Sequence, residues 1–100
     1  IIFRSGTEAV LRPFPFRLDG AVPNPFNAKT TINYQLPVDA HVKLEVYNVL
    51  GEKVATLVNE KQEPGRGSVV WDASEVSSGL YFYKLTAGDY TVTKRMMLVK

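Results

Sequence analysis

Apolar and polar residues alternate in short runs along this chain, the spacing of β-strands with one buried face. Phe14, Phe16 and Leu18 alternate with Pro15 and Arg17, and Ile32, Tyr34 and Leu36 with Thr31, Asn33 and Gln35. Val42, Leu44 and Val46 alternate with Lys43, Glu45 and Tyr47, and an extended stretch over about residues 53–59 carries Val54 and Leu57. Residues 68–72 place Val69 and Trp71 on one face; residues 79–86 set Tyr81, Tyr83 and Leu85 on one face and Phe82 and Lys84 on the other. Over residues 90–100 Val92, Met96 and Leu98 share one parity while Met97 and Val99 share the other, which predicts a bulge or partial cover on both faces. No window keeps helical spacing for three turns without a Gly, a Pro or a β-branched interruption.

Turn chemistry separates these runs. Gly51 supplies the positive φ of a short hairpin, Pro64-Gly65 is a turn pair, and Ala87-Gly88-Asp89 reverses the chain before the last strand. Strands at roughly 8 to 12 residue intervals in a chain of this size predict an all-β, immunoglobulin-like sandwich of about seven strands with Greek-key connectivity. Residues 72–79 are too long for a hairpin and too polar for a strand, so they cross between sheets, with Asp72 or Ser74 capping a single helical turn. Gly79 followed by Tyr81 is placed as a tyrosine corner. Pro23, Asn24, Pro25, Phe26 and Asn27 form a stiff, extended corner in which Phe26 is an anchor and the Asn side chains satisfy local backbone. Residues 1–12 read as a linker or the remnant of a preceding domain, with a short edge strand from Ile1 to Arg4 as the alternative; residues 13–100 read as the domain.

Composition narrows the chemistry. With 100 residues, 45% of them hydrophobic and 22% charged, the chain holds one core and no room for a deep substrate cavity beside it, so an enzyme is disfavoured. It has no cysteine, hence no disulfide, thiol nucleophile or thiolate zinc site. A net charge of +2 with dispersed basic residues is no nucleic-acid footprint. No apolar run is long enough to span a bilayer, and a start at Ile1 without a leader reads as an excised piece of something longer. His41 is the only histidine and reads as a solvated loop residue. Asp19, Asp39, Asp72 and Asp89 fall one per turn and read as turn formers, with a single surface calcium left open. Catalytic, cofactor and metal residues are therefore assigned to no position. Trp71, Tyr81 and Tyr83 share the parity of core aliphatics, which leaves Tyr47, Phe82 and Tyr90 as candidates for a sugar-stacking face.

Four landmarks resemble the C-terminal sorting domains of the type IX (Por) secretion system of Bacteroidetes. They are PNPFN at residues 23–27 followed by Thr30, Thr31 and Ile32; VYNVLGEKVATLV over 46–58; DAS and SGLYFYKL within 72–85; and AGDYTVTKRMMLVK over 87–100. Val22 and Ala28 depart from the family, whose members often carry an aromatic and a proline there. The resemblance implies a non-catalytic module that follows larger cargo domains and directs them, by way of the periplasm, through the outer-membrane secretion machinery to the cell surface or medium. It also implies that Lys94, Arg95, Met96, Leu98 and Lys100 form the recognised signal, held by the Gly79 and Tyr81 corner. An edge strand at the end of the chain offers unpaired N–H and C=O groups to a receptor, or alternatively Met96 and Leu98 are core and the cations only guard the edge. The competing readings are a structural sandwich module, like the immunoglobulin-like domain of flagellar hook-capping proteins, and a carbohydrate-binding module.

Overall fold

The alternation along the chain is realised as seven strands, and a computed structural model describes them within residues 15–100. The expected linker at 1–12, the alternative strand from Ile1 to Arg4 and Phe14 lie outside the described residues. The strands are β1 (Arg17–Leu18), β2 (Lys29–Leu36), β3 (Ala40–Tyr47), β4 (Lys53–Gln62), β5 (Gly65–Asp72), β6 (Gly79–Ala87) and β7 (Tyr90–Leu98). They form a three-stranded sheet in the order β1-β2-β5 and a four-stranded sheet in the order β4-β3-β6-β7, with every ladder antiparallel. The all-β two-sheet sandwich expected from periodicity is therefore the observed architecture.

The inward parities meet between the sheets. Leu18, Ile32, Tyr34, Leu36 and Trp71 come from the smaller sheet, and Val42, Leu44, Val46, Tyr83, Leu85, Met96 and Leu98 from the larger one, all buried. Phe26 of the proline corner is also buried, so the expected anchor is one. It lies tilted against Trp71 at 5.8 Å between ring centres, and Trp71 meets Tyr81 edge-on at 5.3 Å. These three rings tie the corner to both sheets, in geometries that aromatic pairs favour. The Tyr81 hydroxyl donates to the Ser77 carbonyl at 2.6 Å, which completes the tyrosine corner.

β4 does not alternate, because Val54, Ala55, Leu57 and Val58 are all partly buried against the core. Two irregularities in the β3–β4 ladder reconcile this: the register shifts between Leu44 and Glu45 and again between Val46 and Tyr47, leaving Leu57 and Val54 as the extra residues. The bulge expected in β7 is absent. Its ladder with β6 runs unbroken from Ala87↔Tyr90 to Gly79↔Leu98, and its second apolar parity is only partly covered, Met97 being 39% and Val99 52% exposed.

Local backbone chemistry explains the connections. Gly51 has φ +82° in the β3–β4 loop, where the Asn48 side-chain oxygen accepts the N–H groups of Leu50 and Glu52. β5 begins at Gly65, three residues before the expected start, and the Tyr34 ring lies against Gly67 where a Cβ would collide with it. Residues 72–79 do cross between sheets, but they contain no helical turn. Asp72 accepts the Ser74 N–H at 3.0 Å and the Val76 N–H bonds the Ala73 carbonyl, closing tight turns that leave no room for a helix. Ala28 has φ +73°, in the left-handed region that a proline cannot reach.

Because Trp71 joins the corner ring to the second sheet, Trp71→Ala is expected to cost about 3 to 5 kcal/mol in denaturant melts. A loss below about 1 kcal/mol would show the ring to be peripheral.

Candidate functional site

β7 is an edge strand of the larger sheet, bonded on one side to β6. Its even-numbered residues face the core and its odd-numbered residues face outward. Met96 and Leu98 are each 1% exposed, packed opposite Tyr81 and Gly79. Two of the five residues expected to be read directly are thus core, and only Lys94, Arg95 and Lys100 present their side chains to solvent. The apolar pair anchors the strand, and the cations are exposed to solvent.

The proline corner does more than turn the chain. Both Val22-Pro23 and Asn24-Pro25 are cis peptides, and the corner runs against β7 instead of extending straight into β2. The Phe26 N–H donates to the Met97 carbonyl and the Val99 N–H to the Phe26 carbonyl, both at 2.9 Å. The Met97 N–H donates to Asn24 Oδ1 at 3.0 Å, and Asn24 Nδ2 reaches the Arg95 carbonyl at 3.4 Å. The expectation that the Asn side chains satisfy local backbone is therefore corrected for Asn24, whose partners lie on the last strand. The Thr30 hydroxyl donates to the Pro23 carbonyl at 2.7 Å and braces the corner from β2.

Lys100 is pinned as well. The Lys100 N–H donates to Ser78 Oγ at 3.0 Å, and Lys100 Nζ to the Ser74 carbonyl at 2.8 Å. Asp72 sits beneath this contact; the Ser74 N–H and hydroxyl, with Lys29 and Lys100 nearby, hold its carboxyl below the ordinary carboxylate range. The structure thus assembles Pro23, Asn24, Pro25, Phe26, Asn27, Gly79, Tyr81, Met96, Leu98 and Lys100 around one end of β7. Gly51 is not part of that cluster, since its loop joins β3 to β4. Sequence reading gave Ser74 only a capping role and passed over Ser78; polar residues in a crossover give no sign of which distant backbone they will serve.

The other candidates separate. His41 is solvent-exposed as expected but lies within β3, opposite Lys61, and not in a loop, with Nε2 2.6 Å from Asn59 Oδ1. No three His, Cys, Asp or Glu side chains cluster as metal ligands among the described residues. Tyr47 and Phe82 are paired on the outer face of the large sheet, whereas Tyr90 has inward parity and stacks on Phe16 at 4.8 Å. The three aromatics share no face on which a sugar ring could lie. Burial pushes the Glu45 carboxyl up, but the Tyr47 hydroxyl and the Lys53 ammonium outweigh it and hold the group below its usual value. The same bond raises the Tyr47 phenol, so this outer-face network is a structural brace between β3 and β4.

Asn24→Ala removes both side-chain bonds to β7 at a solvent-facing site. It is expected to lower stability by about 1 kcal/mol in denaturant melts while leaving the fold intact. An unchanged midpoint would show that the corner holds β7 through Phe26 alone.

Comparison with known proteins bears on this geometry. The family model described as "Secretion system C-terminal sorting domain" matches residues 21–100. No curated protein matches the chain. Among solved structures, a chain described as PorZ, an essential bacterial surface component of the type-IX secretion system of Porphyromonas gingivalis, is similar with a TM-score of 0.58 and 18% identity. That likeness covers 96% of this chain but 13% of the PorZ chain, and it establishes a shared fold. With the family model spanning the corner, both sheets and β7, the chain belongs to the secretion-system C-terminal sorting domains, the sorting signals of type IX export.

Proposed function

We propose that this domain, residues 13–100, is a non-catalytic address that follows larger cargo domains and is read by the outer-membrane machinery through β7. The observation that supports this most directly is the division of labour along that strand. Met96 and Leu98 are sunk in the core, while Lys94 and Arg95 stand exposed on a strand at the edge of its sheet. Burial of two large side chains fixes the strand's position, so the backbone that carries the cations is held in one register before the encounter. The positive charge speeds the approach of an acidic receptor surface. Lys100 is fastened to Ser74 and Ser78, at a defined place beside the strand.

On this reading the cargo is carried from the periplasm across the outer membrane to the surface or the medium, and the domain contributes recognition and no chemistry. Trp71, Tyr81 and Tyr83 fill the core, so the aromatic content serves the scaffold.

A reporter with an export leader and this chain as its tail, expressed in a host carrying the system, tests the reading. The parent fusion is expected at the cell surface or in the medium, and deletion of residues 96–100 is expected to leave the reporter in the periplasm. Because that deletion also removes core side chains, the Lys94→Ala/Arg95→Ala/Lys100→Ala variant is the companion. It keeps the core, and its export is expected to fall about tenfold, the loss of roughly 1.4 kcal/mol of recognition. Parental export of both variants would falsify recognition through β7.

A further inference from the structure

The outer edge of β7 is closed along only half its length. Residues 91, 93, 95, 97 and 99 turn their backbone groups away from β6, as the bonds of Met97 and Val99 to the corner show. Asn24 and Phe26 occupy the Arg95 carbonyl, both polar groups of Met97 and the Val99 N–H. Among the described residues nothing bonds the outward N–H and C=O of Thr91 and Thr93 or the N–H of Arg95. On the inward side of the open half Tyr90 and Val92 are half-buried against the core, and cover fails at Lys94. β1 is only two residues long, and a shallow groove of about 520 Å³ remains, lined by Gly20, Phe82, Tyr83, Thr93, Lys94 and Arg95. Lys94 has core parity yet stands exposed there.

Charge identifies what fits. Residues 90–100 contain three basic residues, Lys94, Arg95 and Lys100, and no Asp or Glu, and Lys84, paired with Thr93 across the ladder, adds a fourth cation from β6. Two copies of this edge brought together would set Lys94 and Arg95 of each alongside those of the other, which like-charge repulsion opposes. An acidic strand meets the same groups with opposite sign on both faces.

We propose that an extended acidic segment of the export machinery adds as a fifth strand to the larger sheet along residues 91–95, and that the Asn24 and Phe26 clasp stops it from sliding further. The inference rests on the sorting reading above. The added strand takes its bonds from Thr91, Thr93 and the Arg95 N–H, places carboxylates beside Lys94 on the inner face and Lys84 and Arg95 on the outer face, and is set in register by the corner. The proline corner is thereby a positioning element: it leaves one stretch of edge for a partner and closes the rest.

Proline substitution at outward positions tests this without touching the β6 ladder, because only N–H groups that face away from β6 are lost and edge strands tolerate proline. Thr93→Pro and, separately, Thr91→Pro are placed in the reporter fusion and in the chain alone. Each is expected to cut export about tenfold, the effect of one blocked backbone bond, while the thermal midpoint of the chain stays near the parent's. Having two positions guards against one of them misfolding. Parental export of a folded variant overturns strand addition. If the Lys94→Ala/Arg95→Ala/Lys100→Ala variant still loses export in that case, the sorting reading stands and only the docking mode fails. A dimer of the parent chain in sedimentation that Thr93→Pro abolishes, with export unchanged, assigns the edge to a second copy and also overturns the proposal.

Discussion

Phe26 is held in two ways at once, and the rest of the arrangement depends on it. Its ring is buried against Trp71, and its backbone bonds Met97 and Val99. The hydrophobic contact that closes one end of the core therefore also fixes the outer edge of the last strand. Burying a phenylalanine is worth about 2 to 3 kcal/mol, more than the exposed backbone bonds it accompanies. The ring thus holds the corner in place and the bonds follow. Asn24, Thr30 and the pinned Lys100 refine the same end of the molecule without adding much burial.

This arrangement addresses a problem common to sheet edges. An edge with free polar groups invites unwanted pairing, and proteins blunt it with charge, proline or cover. β7 uses cover over its final residues and cations over the open stretch. Lys94 is the telling residue, because a charge at core parity is tolerated only where the second sheet does not reach. On the proposed docking mode the edge is closed to its own kind and open to an acidic strand, the discrimination an address requires.

Much of the fold was legible from parity. Val42, Leu44 and Val46, or Tyr81, Tyr83 and Leu85, are buried because period-two spacing leaves them no other face. The tyrosine corner and the Gly51 turn were legible too, since each rests on a local backbone requirement. The clasp was not. Asn24 meets β7 across more than seventy residues of chain, and nothing in PNPFN names its partner. The mixed parity of Met97 and Val99 predicted a bulge or partial cover on both faces, and partial cover is what the structure has, beside the backbone bonds to the corner. The real bulges lie in β4, where the spacing of Val54, Ala55, Leu57 and Val58 fits neither a helix nor a regular strand. Met96 and Leu98 show the limit of motif reasoning: membership of a motif does not distinguish exposed residues from buried ones.

The half-closed edge is measured most directly by amide hydrogen exchange along β7 in the 100-residue chain. The account predicts that the Thr91, Thr93 and Arg95 amides exchange about a hundredfold faster than those of Met97 and Val99, which the corner protects. Equal protection along all five outward amides would mean that the edge is already filled, and uniformly fast exchange would mean that the clasp does not hold.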